Sequence, residues 1–367
     1  MGTVEGIINA IGSEVFSALV GAIVGLVISV IFDDSLRALK KKIKRKYKRM
    51  FSVKNEPKSD YFSFGNTKLN FFVVEGDGQS EFSPDNVECK VTNETFALPE
   101  ELAVLKQEIE EDEDKKKANG LPSKWNGPLY GVARYRQTRT EDMEEMGVVF
   151  SFYQTDYFTF AATNLQLDRK LDSGQTIGEK YIPHESLEDV QPFLANGFGI
   201  VLVVITADEN IILTQRIKSS GARGGEMDVS LVEGVHPSMD KQKSGNKGPN
   251  LYETASRGAE EELGFSIDKS DIHFLGYGID LDFYQWNMIG YARVPETAQQ
   301  IKDIRSRGAS GKWENSSLLF KNFNVENMTE LIMNEEMWST AKVALYWTAI
   351  GEFGKKFDKK LSQLSRK

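Results

Sequence analysis

The sequence predicts a membrane-anchored α+β protein: one N-terminal transmembrane helix, a soluble α+β part, and a C-terminal mixed sheet that carries a carboxylate-rich helix. Three observations predict it. Residues 15–32 contain no charged side chain. From residue 197 onward, apolar β-rich runs are separated by short polar turns, the patterning of hairpins. Between two such runs, residues 252–265 read Y-E-T-A-S-R-G-A-E-E-E-L-G-F, a helical pattern closed by a glycine.

The apolar run comes first. Eighteen residues at ~1.5 Å each cover about 27 Å, close to the hydrocarbon thickness of a bilayer. Acidic residues Glu5 and Glu14 precede it, which argues against a cleaved signal peptide. A dense run of lysine and arginine between residues 37 and 49 follows, and positive charge beside a span stays on the cytoplasmic side. The expected placement is therefore a membrane crossed once, with the N-terminus outside and the rest of the chain in the cytoplasm. Within the run, Ser17, Gly21, Gly25 and Ser29 recur every fourth position. Such a strip lets membrane helices self-associate, although glycine is also common in membrane helices that do not.

Length and composition organise the remainder. The 367 residues suffice for two folded units beyond the anchor, read as 1–50 for the anchor and basic juxtamembrane segment, 57–195 for an α+β extension, and 196–367 for the sheet domain. The net charge of −9 falls on the part after residue 50 and argues against nucleic-acid binding, which needs lysine and arginine to replace counterions. A single cysteine, Cys89, excludes an internal disulfide.

In the extension, 69–74 and 87–91 have strand character, 100–117 reads as a helix opened by Pro99, and 147–160 is rich in aromatic and β-branched residues. Trp125 is expected in the core. Past residue 197, two strands joined by A-D-E-N precede the carboxylate-rich helix, and 272–282 and 286–294 supply further strands. Phe283, Tyr284 and Trp286 form an aromatic cluster there, which either packs in the core or stacks on a base. The end of the chain, 325–357, has helical periodicity.

On a helix, Glu253, Arg257 and Glu261 stack along one face, with Glu262 one position round. Carboxylates so grouped suit a hard cation such as magnesium. Gly264 is placed to end the helix in a left-handed conformation.

These residues resemble the Nudix family, whose box reads G-x5-E-x7-R-E-U-x-E-E-x-G-U, with U a bulky apolar residue. Arg257, Ala259, Glu261, Glu262, Gly264 and Phe265 match its second half. Gly234 and Asp240 fit the leading glycine and first acid, with an enlarged polar loop, M-D-K-Q-K-S-G-N-K-G-P-N, before the helix. One position departs: Gly258 stands where the family has a glutamate that serves as metal ligand or general base. The resemblance implies a Nudix-like mixed-sheet α/β/α sandwich for the C-terminal domain. It also implies a divalent metal, Mg2+, held by Glu261 and Glu262. Arg216, Lys241 and Lys243, on the strand and loop leading to the box, are candidate phosphate contacts or ordinary surface charges.

A span followed by a Nudix-like domain with an eroded box resembles the membrane-anchored (SMODS-associated) Nudix effectors of bacterial cyclic-oligonucleotide antiphage systems (CBASS). That resemblance implies that the domain binds a cyclic nucleotide second messenger without cleaving it and without needing a cofactor. The spans would then cluster among membrane lipids, disrupt the inner membrane and cause abortive infection. The alternative is a membrane-tethered Nudix hydrolase of a nucleoside diphosphate derivative, with Asp240 in place of the missing acid.

Overall fold

A computed structural model describes residues 61–121, 123–140, 144–216, 225–240, 248–307 and 315–365. The chain divides into two units, Met1–Pro57 and Lys58–Lys367, and all described residues belong to the second. Its strands are β1 (Ser63–Phe64), β2 (Thr67–Lys68), β3 (Phe71–Gly76), β4 (Val87–Val91), β5 (Pro128–Arg139), β6 (Met146–Asp156), β7 (Phe198–Ile205), β8 (Asn210–Arg216), β9 (Met227–Val229), β10 (Leu231–Gly234), β11 (Ile272–Asp280), β12 (Gln285–Arg293) and β13 (Asn315–Asn322). Its α-helices are α1 (Glu100–Ala118), α2 (Tyr157–Ala162), α3 (Ile177–Tyr181), α4 (Leu251–Leu263), α5 (Ala298–Arg307), α6 (Val325–Asn334), α7 (Ser339–Phe353) and α8 (Lys355–Leu364).

The run F-G-I-V-L-V-V-I makes β7 the axis of the fold. Every residue of it is buried, as a strand covered on both faces requires. β7 pairs in parallel with β12 and antiparallel with β10, and the described sheet runs β13-β8-β7-β12-β11-β3 with β10 and β9 attached to β7 and β8. Side-chain alternation then divides the core. Ile200, Leu202 and Val204 join one apolar cluster with Ala255, Ala259 and Leu263 of α4 and Phe150 and Phe152 of β6. Val201, Val203 and Ile205 join another with α6, α7 and α8.

The second described sheet, β4-β6-β5, packs on the α4 side. Phe198 meets Phe150 and Phe152 edge-on, with ring centroids 4.8 and 5.2 Å apart, a favoured aromatic geometry. β3 lies before β4 in sequence yet completes the edge of the main sheet through β11.

Several local expectations are met. β4 falls at the expected residues, the helix opened by Pro99 runs one residue longer, and the C-terminal periodicity resolves into three helices. Burial pushes the Cys89 thiol far above its usual range, so it is an inert core group. Trp125 is a correction. It is 74% exposed, because the loop after α1 lays its ring along Gly127, where an added Cβ would meet it at 2.8 Å.

The transmembrane helix is a larger correction. No helix among the described residues is long and apolar enough to cross a membrane. The apolar α7 has 15 residues, short of the ~20 a bilayer needs, and its apolar side chains are spent on the sheet and on α6 and α8. Residues 15–32, with Ser17, Gly21, Gly25 and Ser29, lie outside the described residues. The described fold is one of mixed α/β sheets, and the expected single-pass inner-membrane placement is corrected with the helix it depended on.

Candidate functional site

The local sequence around residue 250 explains where α4 starts, stops and faces. Asn250 accepts from the backbone N–H groups of Tyr252 and Glu253, a good N-cap. Gly264 ends the helix at φ 90°, the left-handed conformation expected of it. Leu251, Ala255, Ala259 and Leu263 bury against the sheet, which leaves Arg257 at the edge of the buried face, opposite the end of β10.

Arg257 is the centre of the site. Its Nε and Nη2 donate to the two oxygens of Asp240, each at 2.9 Å. Nη1 donates to Glu261 Oε1 at 3.1 Å and lies 3.1 Å from Glu233 Oε1, while Nη2 reaches the Gly234 carbonyl at 3.2 Å. A planar guanidinium suits this fork-like arrangement, where an ammonium would not. Asp240 Oδ2 also accepts from the His236 backbone N–H at 2.7 Å. Burial opposes the charge on Arg257, but Asp240, Glu233 and Glu261 outweigh it and hold the guanidinium firmly protonated.

Glu233 is the residue the sequence reading passed over. Its side chain is only 15% exposed, and burial pushes its carboxyl up to about 7, against the pull of Arg257 and with repulsion from Glu261 and Asp240 adding to the rise. His236, on the loop after β10, is shifted down, chiefly by burial. A signal was present: Gly258 sits mid-helix, where glycine is unfavourable by about 1 kcal/mol against alanine, and an internal glycine marks a close neighbour. The neighbour is Glu233, since a Cβ at 258 would lie 2.7 Å from its Cγ.

A pH prediction follows from Glu233. Its carboxyl titrates near 4.5 when unfolded and near 7 when folded. The folded state therefore binds more protons between those values. The stabilisation is complete below about pH 4.5 and is lost as pH rises through about 7, on the order of 2–3 kcal/mol. His236 has the opposite slope, losing stability as pH falls below its usual range. In Glu233→Gln the His236 contribution remains, so the difference in urea-unfolding free energy between variant and wild type should grow in the variant's favour from pH 4.5 to 7.5. A flat difference would contradict the assignment.

The remaining expected site residues scatter. Glu253 pairs with Lys269 and does not join Arg257. Glu262 is 8% exposed, and its charge acts on Arg305 of α5. Arg216 ends β8, opposite Asn315 of β13, with its backbone N–H on the Glu226 carbonyl at 3.0 Å. Lys241 and Lys243 lie outside the described residues. Phe283 is half-buried in the β11–β12 turn, and its carbonyl accepts from Asn164. Tyr284 is fully buried and donates to the Leu187 carbonyl at 2.9 Å. Trp286 is fully buried under Tyr135, with ring centroids 5.1 Å apart.

A magnesium site at Glu261 and Glu262 does not fit this donor set. Glu261 is engaged by Arg257, Glu262 is buried and its charge acts on Arg305, and among the described residues no group of three or more histidine, cysteine, aspartate or glutamate side chains could hold a metal ion.

No protein-family model matches the chain, and no curated protein matches it. Solved structures do. The chain is similar to a mutT/nudix family protein from Listeria innocua, at 17% identity over 44% of this chain and 96% of that one, with a TM-score of 0.29. It is similar to a MutT protein from Methanosarcina mazei, at 12% identity over 47% and 96%, with a TM-score of 0.26. A third is the pyrophosphohydrolase BsRppH from Bacillus subtilis, at 13% identity over 48% and 87%, with a TM-score of 0.26. Two of these neighbours are named as Nudix or MutT proteins. At such identities and scores the likeness reaches no activity, ligand or metal.

Proposed function

We propose that the Nudix-like part of this chain is a receptor that binds a nucleotide derivative and leaves it intact. The observation that carries the reading is the state of the box. Its arginine is bound by Asp240, Glu233 and Glu261 together, and the helix position that would bear a further carboxylate is Gly258. A hydrolase of this kind needs a base or metal at that position, and glycine supplies neither.

The ligand class we propose is a cyclic nucleotide made as a second messenger in a bacterial antiphage (CBASS) system, following the resemblance of the box and its erosion. Phosphate contacts would come from Arg216 and the lysine-bearing loop before α4. A hydrolase acting on a nucleoside diphosphate derivative is the second reading. Glu233 favours it, because a carboxyl near 7 is suited to general acid–base work.

Calorimetric titration of the full-length chain with a panel of cyclic di- and trinucleotides and linear nucleoside diphosphate derivatives, with and without Mg2+, separates the readings. Expected is saturable binding of a cyclic nucleotide, unchanged by EDTA, with the ligand recovered whole. Mg2+-dependent cleavage would transfer the assignment to the hydrolase, and a panel without binding would overturn both.

A further inference from the structure

We infer that the β4-β6-β5 sheet is the positioning frame of the Arg257 site: it grips the chain between β10 and α4 near both ends, and so sets where Asp240 meets Arg257, whichever nucleotide derivative that site takes.

The first grip is where the chain leaves β10. The Tyr130 backbone N–H of β5 donates to the Val235 carbonyl at 3.4 Å, while the Val235 N–H donates to the Phe198 carbonyl of β7 at 3.0 Å. Val235 is thus tied to both sheets at once. Tyr130 is 2% exposed, and burial, with the Asp240 charge adding to it, pushes its hydroxyl up. The Tyr130 hydroxyl therefore lies within reach of the same carboxylate that Arg257 holds through both oxygens.

The second grip is where the chain enters α4, and the run G-P-N at 248–250 specifies it. The Gly248 N–H donates to the Cys89 carbonyl of β4 at 2.8 Å. A Cβ at 248 would stand 2.7 Å from the Cys89 carbonyl carbon and 2.8 Å from both the Cys89 oxygen and the Lys90 nitrogen. All three are backbone atoms, so only glycine lets the two chains touch. Pro249 disfavours a helical Gly248, and Asn250 then caps α4. Two residues on, the buried Tyr252 Oη donates to the Phe82 carbonyl, in the segment leading into β4, at 3.0 Å.

The two members of the Arg257–Asp240 fork come from opposite sides of this loop. Asp240 follows the end held by Tyr130, and Arg257 stands on the helix held at Gly248 and Tyr252. Two parallel hydrogen bonds of 2.9 Å tolerate little displacement, because such bonds weaken steeply with distance and angle. Releasing either grip therefore loosens the fork.

The reporter is the Arg257 Nε–H, whose bond to Asp240 slows its exchange with water. It is followed by 15N NMR of the full-length chain and assigned by its loss in Arg257→Lys. Gly248→Ala pushes the loop off β4, and Tyr252→Phe removes one bond without adding an atom. Each is expected to speed Nε–H exchange by about threefold or more, the equivalent of one weakened hydrogen bond. Leu361→Ala, in the other apolar cluster, should lower the melting temperature and leave the exchange within about twofold of wild type, as distant sites act independently. Lower melting temperatures in Gly248→Ala and Tyr252→Phe with an unchanged Arg257 signal would make the sheet a mere support and overturn the inference. An equal rise in Leu361→Ala would overturn it too, because exchange would then follow stability alone. Should Gly248→Ala fail to fold, Tyr252→Phe decides by the same criterion. No nucleotide enters the measurement, so its outcome and that of the receptor proposal are read separately.

Discussion

Replacing Arg257 by methionine is expected to destabilise the fold by about 3–5 kcal/mol, the cost of removing one member of a buried ionic group. Three carboxylates, on β10, the loop after it and α4, would be left facing one another with no cation between them. The loss should be smaller at pH 5 than at pH 7.5, because the Glu233 carboxyl, already pushed up to about 7, neutralises first. Urea unfolding at the two pH values measures both quantities. Arg257→Lys should fall between wild type and Arg257→Met, because an ammonium keeps the charge but cannot bond both Asp240 oxygens in one plane. Combining Arg257→Met with Glu233→Gln and Asp240→Asn should recover much of the stability, since the methionine cost is dominated by the charges it strands. A methionine variant within about 1 kcal/mol of wild type would mean that the network contributes nothing net.

The parts of this site that the sequence reveals are those encoded by spacing along one helix. Arg257, Glu261 and Gly264 can be placed from a 3.6-residue period and a terminal glycine, and the Arg257–Glu261 contact is the i,i+4 pair that period implies. Glu233 is out of reach of such reasoning, because its relation to Gly258 runs across a strand–helix interface set by the pairing of β10 with β7. Burial of Glu262 and Trp286 is lost on the sequence for a similar reason. Their covers, α5 and β5, are rich in charged residues, and β5 has the mixed pattern P-L-Y-G-V-A-R-Y-R-Q-T-R, which masks its strand period. The apolar run at 15–32 lies outside the described residues, and no described helix is long and apolar enough to cross a membrane.

Long-range pairing leads to the second large effect, Gly278→Ala. Strand character at 69–74 is legible, but the partner of β3 is not, and it proves to be β11, some two hundred residues on in the chain. The two strands meet with a register shift at Tyr277 and Gly278. A Cβ on Gly278 would lie 2.2 Å from the Phe72 carbonyl oxygen and 2.5 Å from the Phe71 ring. The first obstacle is backbone, so no rotamer change relieves it and the strand itself must move. Overpacking of this kind costs about 1–3 kcal/mol and occasionally more, and the expected value here is about 3 kcal/mol or above. Amide hydrogen exchange should show β3 losing protection before the β7–β12 pair does, because β3 is the edge strand. Gly234→Ala supplies the contrast. The box resemblance would make it the leading glycine, yet a Cβ there meets nothing within 4 Å and its φ is not among the positive ones. Its stability should stay within about 0.5 kcal/mol of wild type. If Gly234→Ala nonetheless weakens nucleotide binding, the glycine serves approach of the ligand to the backbone, whereas Gly278 serves the approach of one strand to another.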